Sequence, residues 1–397
     1  MKAGWRMVPL GEVCTVINGG TPKSNVSTYW GGNVNWLTPK DMGQMEGRHI
    51  AETPRKITAM GLDNCSARLV PAGSVIMSTR APIGHLAINQ APMAFNQGCR
   101  GMIPGKDLDP VFLFHFLSAS NAALNDLGTG TTFKELSATA LRAFPIPLPP
   151  LDEQKRIVAV LDEAFQGVSS ARTNAEANLA DADELFGAAL DRIYRIEGAN
   201  WPTATLPSVC LDFGRGKSRH RPRNDPRLYD GPYPFIQTGD ISRAGHLLTD
   251  FEQTYSSFGL QQSKLWSAGT VCVAIVGATI GESAVTAFDC CFPDSVIGMT
   301  PDPQRADAQF VEYALCCFKA ELKEAGKGSA RDNINLATFE ARHFPMPDIR
   351  TQRAVVERLN EISRLKEEVG GESDFKLAAL ETLRQSLLQK AFSGELT

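Results

Sequence analysis

The chain has 397 residues, 43% of them hydrophobic and 21% charged, with 40 basic against 44 acidic side chains and a formal net charge of −4. That is a globular composition with enough length for two or three domains, which excludes wholesale disorder. The near-balance of charge argues at face value against a nucleic-acid binder, although an average over several domains can conceal a local field.

From the N-terminus, MKAGWRMVPLGEV lacks the apolar core of a signal peptide, and no later apolar run reaches the ~18 residues of a membrane span. A cytoplasmic location is therefore expected. Residues 1–150 follow with a mixed pattern, in which short apolar runs such as SVIM (74–77) predict buried strands between Gly-rich turns. VFLFHFLSASNAALNDL (111–127) predicts a helix. After Pro149-Pro150 a long helical pattern occupies 151–200. Residues 201–348 then repeat the first grammar, with TVCVAIV (270–276) as a buried strand, and 349–397 are helical again.

The second half restates the first. WRMVPLGEVC from Trp5 is matched by WPTATLPSVC from Trp201, an offset of 196. NWLTPKDM (35–42) is matched by PFIQTGDI (234–241), FNQGCRGMIP (95–104) by FPDSVIGMTP (292–301), and FLFHFL (112–117) by FVEYAL (310–315). FPIPLPPLDEQKRIVAVLDE (144–163) is matched by FPMPDIRTQRAVVERLNE (344–361). The matches are collinear, which indicates a duplicated unit.

The helical stretches carry a narrow apolar stripe. In the first, from about Leu151 to Ile196, Ile157, Leu161, Val168, Leu185 and Ile193 fall on 4-3 spacing with Ala between them, the signature of a coiled-coil seam. At 1.5 Å per residue such a stretch is ~69 Å long. The second stretch offers Val355, Leu359, Ile362, Leu380 and Leu387. Gly370-Gly371 interrupts it, so a break or kink is expected there. The two stripes are expected to pair antiparallel; the alternative is that each helix merely covers its own globular copy.

The sequence shows no convincing catalytic site. Gly216-Lys217-Ser218 resembles the end of a phosphate loop, but Leu211 stands where the first Gly belongs. Pro293-Asp294 with Glu321-Leu322-Lys323 resembles a nuclease signature, but 310–324 reads as a helix. The six His show no metal-ligand spacing, and the nine Cys contain no C-x-x-C, so no metal site is assigned and the cysteines read as small core residues.

Charge by segment is more informative. Residues 1–150 hold 13 basic and 9 acidic residues, and 151–200 hold 5 and 10. Residues 201–348 hold 14 and 17, but Arg215, Lys217, Arg219, Arg221 and Arg223 form a dense run with no acid among them. Alternating cations in a Gly/Pro-bounded loop suit a phosphate backbone or a groove, and equally suit a solvated loop. The corresponding loop GGTPKS (19–24) carries only Lys23. Lys40, Arg80 after a strand, and Lys134 and Arg331 after the Gly-rich loops complete the candidate DNA-binding set.

These features together resemble a specificity subunit of a type I restriction-modification system. The two globular copies carry the resemblance, with the exit FPIPLPPLDEQKRIVAVLDE, YPFIQTGDI (233–241) and SLLQKAFSGEL (386–396). Thr351 departs from the family pattern, which has Glu before Gln352. The resemblance implies an α+β fold: two target recognition domains joined by two long antiparallel helices in a pseudo-twofold repeat. It also implies a non-catalytic chain that binds double-stranded DNA, each copy reading half of a bipartite asymmetric site. Its implied partners are methyltransferase subunits, two of them expected, and restriction subunits. S-adenosylmethionine, ATP and magnesium would belong to those partners, with no cofactor in this chain. The alternatives are a specificity subunit for a fused methyltransferase–nuclease, and a coiled-coil scaffold that does not bind DNA.

Overall fold

The computed structural model describes residues 4–80, 82–130, 134–326 and 333–396. The chain divides into two compact units, Met1–Ala175 with Phe375–Thr397, and Glu176–Asp374.

In the first unit, the run Val75–Thr79 is buried throughout because both faces of its strand are covered. Side chains alternate along a strand, so Val75 and Met77 enter one core and Ile76 the opposite one. This strand is central in a five-stranded sheet whose spatial order is Cys14–Asn18, Cys99–Pro104, Val75–Thr79, Ile83–Asn89 and His49–Ile50. All neighbours are antiparallel except the last pair. A smaller sheet places Trp30–Leu37 between Lys56–Ile57 and Met93–Phe95. Arg6–Pro9 pairs with Pro145–Leu148 and so closes the start of the copy against its exit.

The second unit has the same plan. Its five-stranded sheet runs Cys210–Arg215, Val296–Pro301, Val271–Ala274, Ser283–Thr286, Leu247–Leu248, which is the first order moved along the chain. Val271 and Val273 again face one core and Cys272 the other. Thr203–Thr205 pairs with His343–Pro345. The duplication read from the sequence is thus a duplication of strand order and of core.

Two long helices follow the copies, Leu151–Asp191 and Ile349–Ser393. Each start is fixed by one buried amide. Gln154 accepts from the N–H of Asp109 at 2.8 Å and donates to the carbonyls of Asp107 and Pro149. Gln352 does the same with Asp307, Arg305 and Pro347. Thr351 does not disturb its helix start: the Asp348 side chain caps the N–H groups of Arg350 and Thr351, and the Thr351 hydroxyl donates to Asp348 at 2.8 Å. The first long helix ends in a π-type turn over Arg192–Ile196.

Within each unit the two helix segments run antiparallel. In the first, Ile157 and Leu161 share a core with Leu388 and Ala391, Leu387 packs against it, and Arg384 lies over the Phe165 ring. Val168 and Leu380 line one groove. In the second, Lys366 pairs with Asp183 at 2.7 Å, Arg358 pairs with Glu197, and Ile193, Val355 and Leu359 share a core that Ile362 borders. These cores also contain globular residues, such as Phe112 in the first and Phe310 in the second. The helices therefore both pair with each other and cover their own copies.

Four sequence expectations need correction. Gly370-Gly371 makes no break, and the helix is continuous through both. Glycine lowers helix stability by only about 1 kcal/mol against Ala, and it keeps its N–H for the hydrogen-bond ladder. Leu185 is 65% exposed at the rim of a groove beside Ile362, and Phe186 takes the buried place. The single helix expected at 111–127 is two, Pro110–Ala119 and Asn121–Asp126; likewise 310–324 is split between Ala308–Cys317 and Lys319–Gly326.

Candidate nucleic-acid interface

The basic run of the second copy begins as the strand Cys210–Arg215 ends. Gly216 crosses the backbone of Phe292 so closely that a Cβ would meet the Phe292 carbonyl at 2.3 Å. The Lys217 N–H donates to that carbonyl at 3.0 Å, and Ser263 donates to the Lys217 carbonyl. The loop is therefore anchored at its base, and its side chains stand outward. Lys217, Arg219, Arg221 and Arg223 are exposed and Arg215 is half-buried.

These cations are not equally free. Arg223 pairs with Asp294 at 2.7 Å, and Arg221 donates to the carbonyls of Ser218 and His220. His220 is held by Asp225 at 2.8 Å, and the Arg227 guanidinium keeps that carboxyl well below the usual carboxylate range. Among the described residues, the side chains of Lys217 and Arg219 form no ion pair. They are the cations that this loop offers to an anion.

The first copy uses the same anchor. Gly20 donates to the Phe95 carbonyl at 2.9 Å, as Lys217 does to Phe292, and Gly19 passes against Asn96. Beyond the anchor the loop diverges, with Thr21 bonded to Gln97 and an exposed Lys23. Lys40 is exposed on the helix Pro39–Gly43, whose Pro39 borders Gly98. Arg80 is half-buried and pairs with Glu135 at 3.8 Å, while Arg100 reaches the same carboxylate at 3.5 Å. Lys134 is exposed beside Glu135, and Arg331 lies outside the described residues.

The trio Arg80, Arg100 and Glu135 was not legible as a group. Arg100 was hidden within FNQGCRGMIP, and Glu135 reaches Arg80 through an isolated bridge between segments 55 residues apart. In the second copy Val276 and Asn333 make the equivalent bridge, and Ile297 stands in place of Arg100. The same frame thus carries a charged trio in one copy and none in the other. Arg100 Nε is buried without a partner, a donor whose desolvation is uncompensated within the chain.

The cysteines are all free, and most are buried. Burial pushes the Cys14 and Cys272 thiols up to about 12, which keeps them neutral core residues. His115 is buried among Phe114, Phe165 and Asp162.

Comparison with known proteins agrees with this frame. A match to the family described as "Type I restriction modification DNA specificity domain" covers residues 2–177 and 200–369. The chain belongs to this family. One member of this type I specificity family, the Type I restriction enzyme MjaIX specificity subunit of Methanocaldococcus jannaschii, is 35% identical over 159 residues, which is 40% of this chain and 37% of that protein. The StySPI specificity subunit of Salmonella potsdam is 21% identical over an alignment covering 100% of this chain and 90% of the relative. A chain of a solved type I R-M system superposes with a TM-score of 0.79 at 22% identity, covering 100% of this chain and 99% of the other; this likeness concerns the fold. The specificity domain occurs here twice, and the matched ranges extend from each globular copy into the helix that follows. Among the described residues no helix is long and apolar enough to cross a membrane.

Proposed function

We propose that this chain is the DNA-reading specificity subunit of a type I restriction-modification complex, with each copy reading one half of a bipartite asymmetric site. One observation carries the reading. Two copies of one sheet frame anchor a loop at the same backbone crossing, Gly20 on Phe95 and Lys217 on Phe292, and then present different chemistry. A shared frame with divergent loops suits two sequence specificities, because phosphate contacts can be common while base contacts differ.

On this reading the chain addresses and assembles, and the chemistry lies in its partners. Methyltransferase subunits, two of them, would methylate adenine with S-adenosylmethionine. Restriction subunits would use ATP and magnesium. The place of action is the cytoplasm, where the DNA is reached. The fused methyltransferase–nuclease arrangement remains the second reading, since this chain would be the same in both; the neighbouring polypeptide distinguishes them.

The test is co-expression with its modification subunit, followed by sequencing of methylated genomic DNA. The expected result is methyladenine in one asymmetric sequence with an unread gap. Exchange of residues 1–150 for another copy should change one half of that sequence only. Absence of site-specific methylation in an intact complex would refute DNA reading and leave a scaffold.

A further inference from the structure

The helix Ala308–Cys317 buries a carboxylate where its counterpart in the first copy has an apolar side chain. FVEYAL aligns with FLFHFL, so Glu312 stands where Phe114 stands. The Glu312 side chain is 0% exposed, and three polar side chains converge on it. His246 Nδ1 lies 2.9 Å from one carboxylate oxygen. Ser283 Oγ donates to the other at 2.9 Å, and Cys316 Sγ lies 3.0 Å from that same oxygen. The ligand atoms of His246, Glu312 and Cys316 all lie within 4.8 Å of one another. Aromatic rings of Phe186 and Tyr313 cover the imidazole. Lys319, the nearest cation on the following helix, is engaged by Glu282 at 2.6 Å.

We propose that His246, Glu312 and Cys316 form a structural zinc site, with Ser283 or a water as the fourth ligand. The donor set is one imidazole nitrogen, one carboxylate and one sulfur, which is the chemistry zinc selects, and the ion prefers four ligands in tetrahedral array. Bond lengths of ~2.0–2.3 Å require ligand atoms roughly 3.2–3.6 Å apart. The 2.9 and 3.0 Å separations, which run to the two different carboxylate oxygens, need to open by a few tenths of an ångström, and the widest separation among the three ligand atoms, within 4.8 Å, closes by about an ångström as the side chains turn onto the ion. Coordination releases the thiol proton to solvent and uses the neutral imidazole through Nδ1. The thiolate and the carboxylate then balance the two charges of the ion, so the filled site is neutral in its apolar shell.

The spacing was invisible in the sequence. Glu312 and Cys316 are one helical turn apart, but His246 comes from 66 residues earlier, next to the edge strand Leu247–Leu248. The ion would staple that edge strand to the helix behind the sheet. The first copy cannot hold it, since Arg48, Phe114 and Ser118 occupy the aligned positions.

The experiment uses the full chain, stripped with a chelator and then titrated with zinc or with cobalt(II) alone. The expected result is one zinc retained per chain after dialysis, and a thiolate-to-cobalt absorption band. Cys316→Ser and His246→Asn should each weaken zinc at least tenfold and abolish the band. Cys317→Ser, one position along the helix, should leave both unchanged. Cys316→Ser places at this position the residue of the first copy, and a metal-free melting temperature like that of the stripped parent shows that it folds. Zinc should raise the melting temperature of the parent and not of Cys316→Ser. No retained zinc, meaning a His–Glu ion pair only, would overturn the proposal. So would a cobalt band that persists in Cys316→Ser, meaning capture by other thiols.

Discussion

Arg48 grips Asp162 with both terminal nitrogens of its guanidinium, the second at 2.8 Å, and so ties a loop before the strand His49–Ile50 to the first long helix. His115 closes the group at 3.1 Å from Asp162. In the second copy the aligned residues are His246 and Asn360. Asn360 accepts from the Tyr313 hydroxyl at 2.6 Å, while His246 turns to Glu312. Asp162→Asn keeps the shape and removes the charge. The pair is about one-third exposed, so the expected loss is about 1 kcal/mol, read as a lower chemical-denaturation midpoint of the first unit. No change in that midpoint would show the pair to be ornamental.

The same group sets a pH dependence. Burial lowers the His115 pKa from 6.5, so the unfolded chain takes up this proton more readily than the folded one. Stability should therefore fall as pH drops through about 6.5 toward the lower folded value. The Asp162 pKa is lowered from 3.8, chiefly by the Arg48 hydrogen bond. Its contribution is present above about 3.8 and is lost as pH falls through the depressed folded value. Melting curves from pH 8 to 3 should show both windows, and His115→Asn should flatten the first while leaving most of the second, whose first cause is the Arg48 hydrogen bond and to which His115 also contributes.

Gln154 and Gln352 each satisfy three backbone groups where a globular copy hands over to its helix. Truncation would leave a buried N–H and two carbonyls unpaired. Gln154→Ala should cost roughly 2–4 kcal/mol in the first unit, and Gln352→Ala the same in the second. Hydrogen exchange resolved along the chain would read this: protection should fall around 107–109 in one variant and around 305–307 in the other.

Gly370 and Gly371 sit inside a continuous helix with room for a side chain. A Cβ at Gly370 would lie 3.9 Å from Leu179, an ordinary contact, and one at Gly371 would meet nothing within 4 Å. Replacing both with Ala should stabilise the chain by about 1 kcal/mol each. A lower melting temperature in the double variant would show that this point of the helix has to bend.

The basic loop makes graded predictions for DNA binding. Lys217→Ala and Arg219→Ala should each weaken binding and reduce the salt slope by about 1 if they meet phosphates. Arg223→Ala should do less, because Arg223 is already paired with Asp294. Equal effects at all three positions in salt titrations would contradict this ranking.

Much of the architecture was readable from the residues, because duplication displays itself twice. The collinear matches located both copies, and the Pro-rich step into Gln154 and Gln352 located both helix starts. Seven-residue spacing picks out the buried Ile157 and Leu161 and misses by one at Leu185, where the neighbouring Phe186 is buried instead. A strict seven-residue spacing drifts from a straight helix by about 20° per heptad. Leu185 is four heptads from Ile157, so the drift approaches one residue step, and Phe186 faces inward. Buried Ala175 and Phe186 are eleven apart, the spacing of a straighter helix. The candidate interface was legible only where cations are adjacent in sequence. Arg80, Arg100 and Glu135 are gathered by strand pairing across long intervals, and their grouping leaves no local signature.

Phe392 packs edge-on against Phe112 and Phe116 at ring separations of 5.2 and 5.3 Å. The core of the first unit is thus completed by a segment synthesised long after the rest of it, once all of Glu176–Asp374 has been made. During translation the second unit, being continuous, can close first. Until that segment emerges Leu161 and Phe116 are left uncovered, so the first unit is expected to close after the second, in the reverse of their order along the chain.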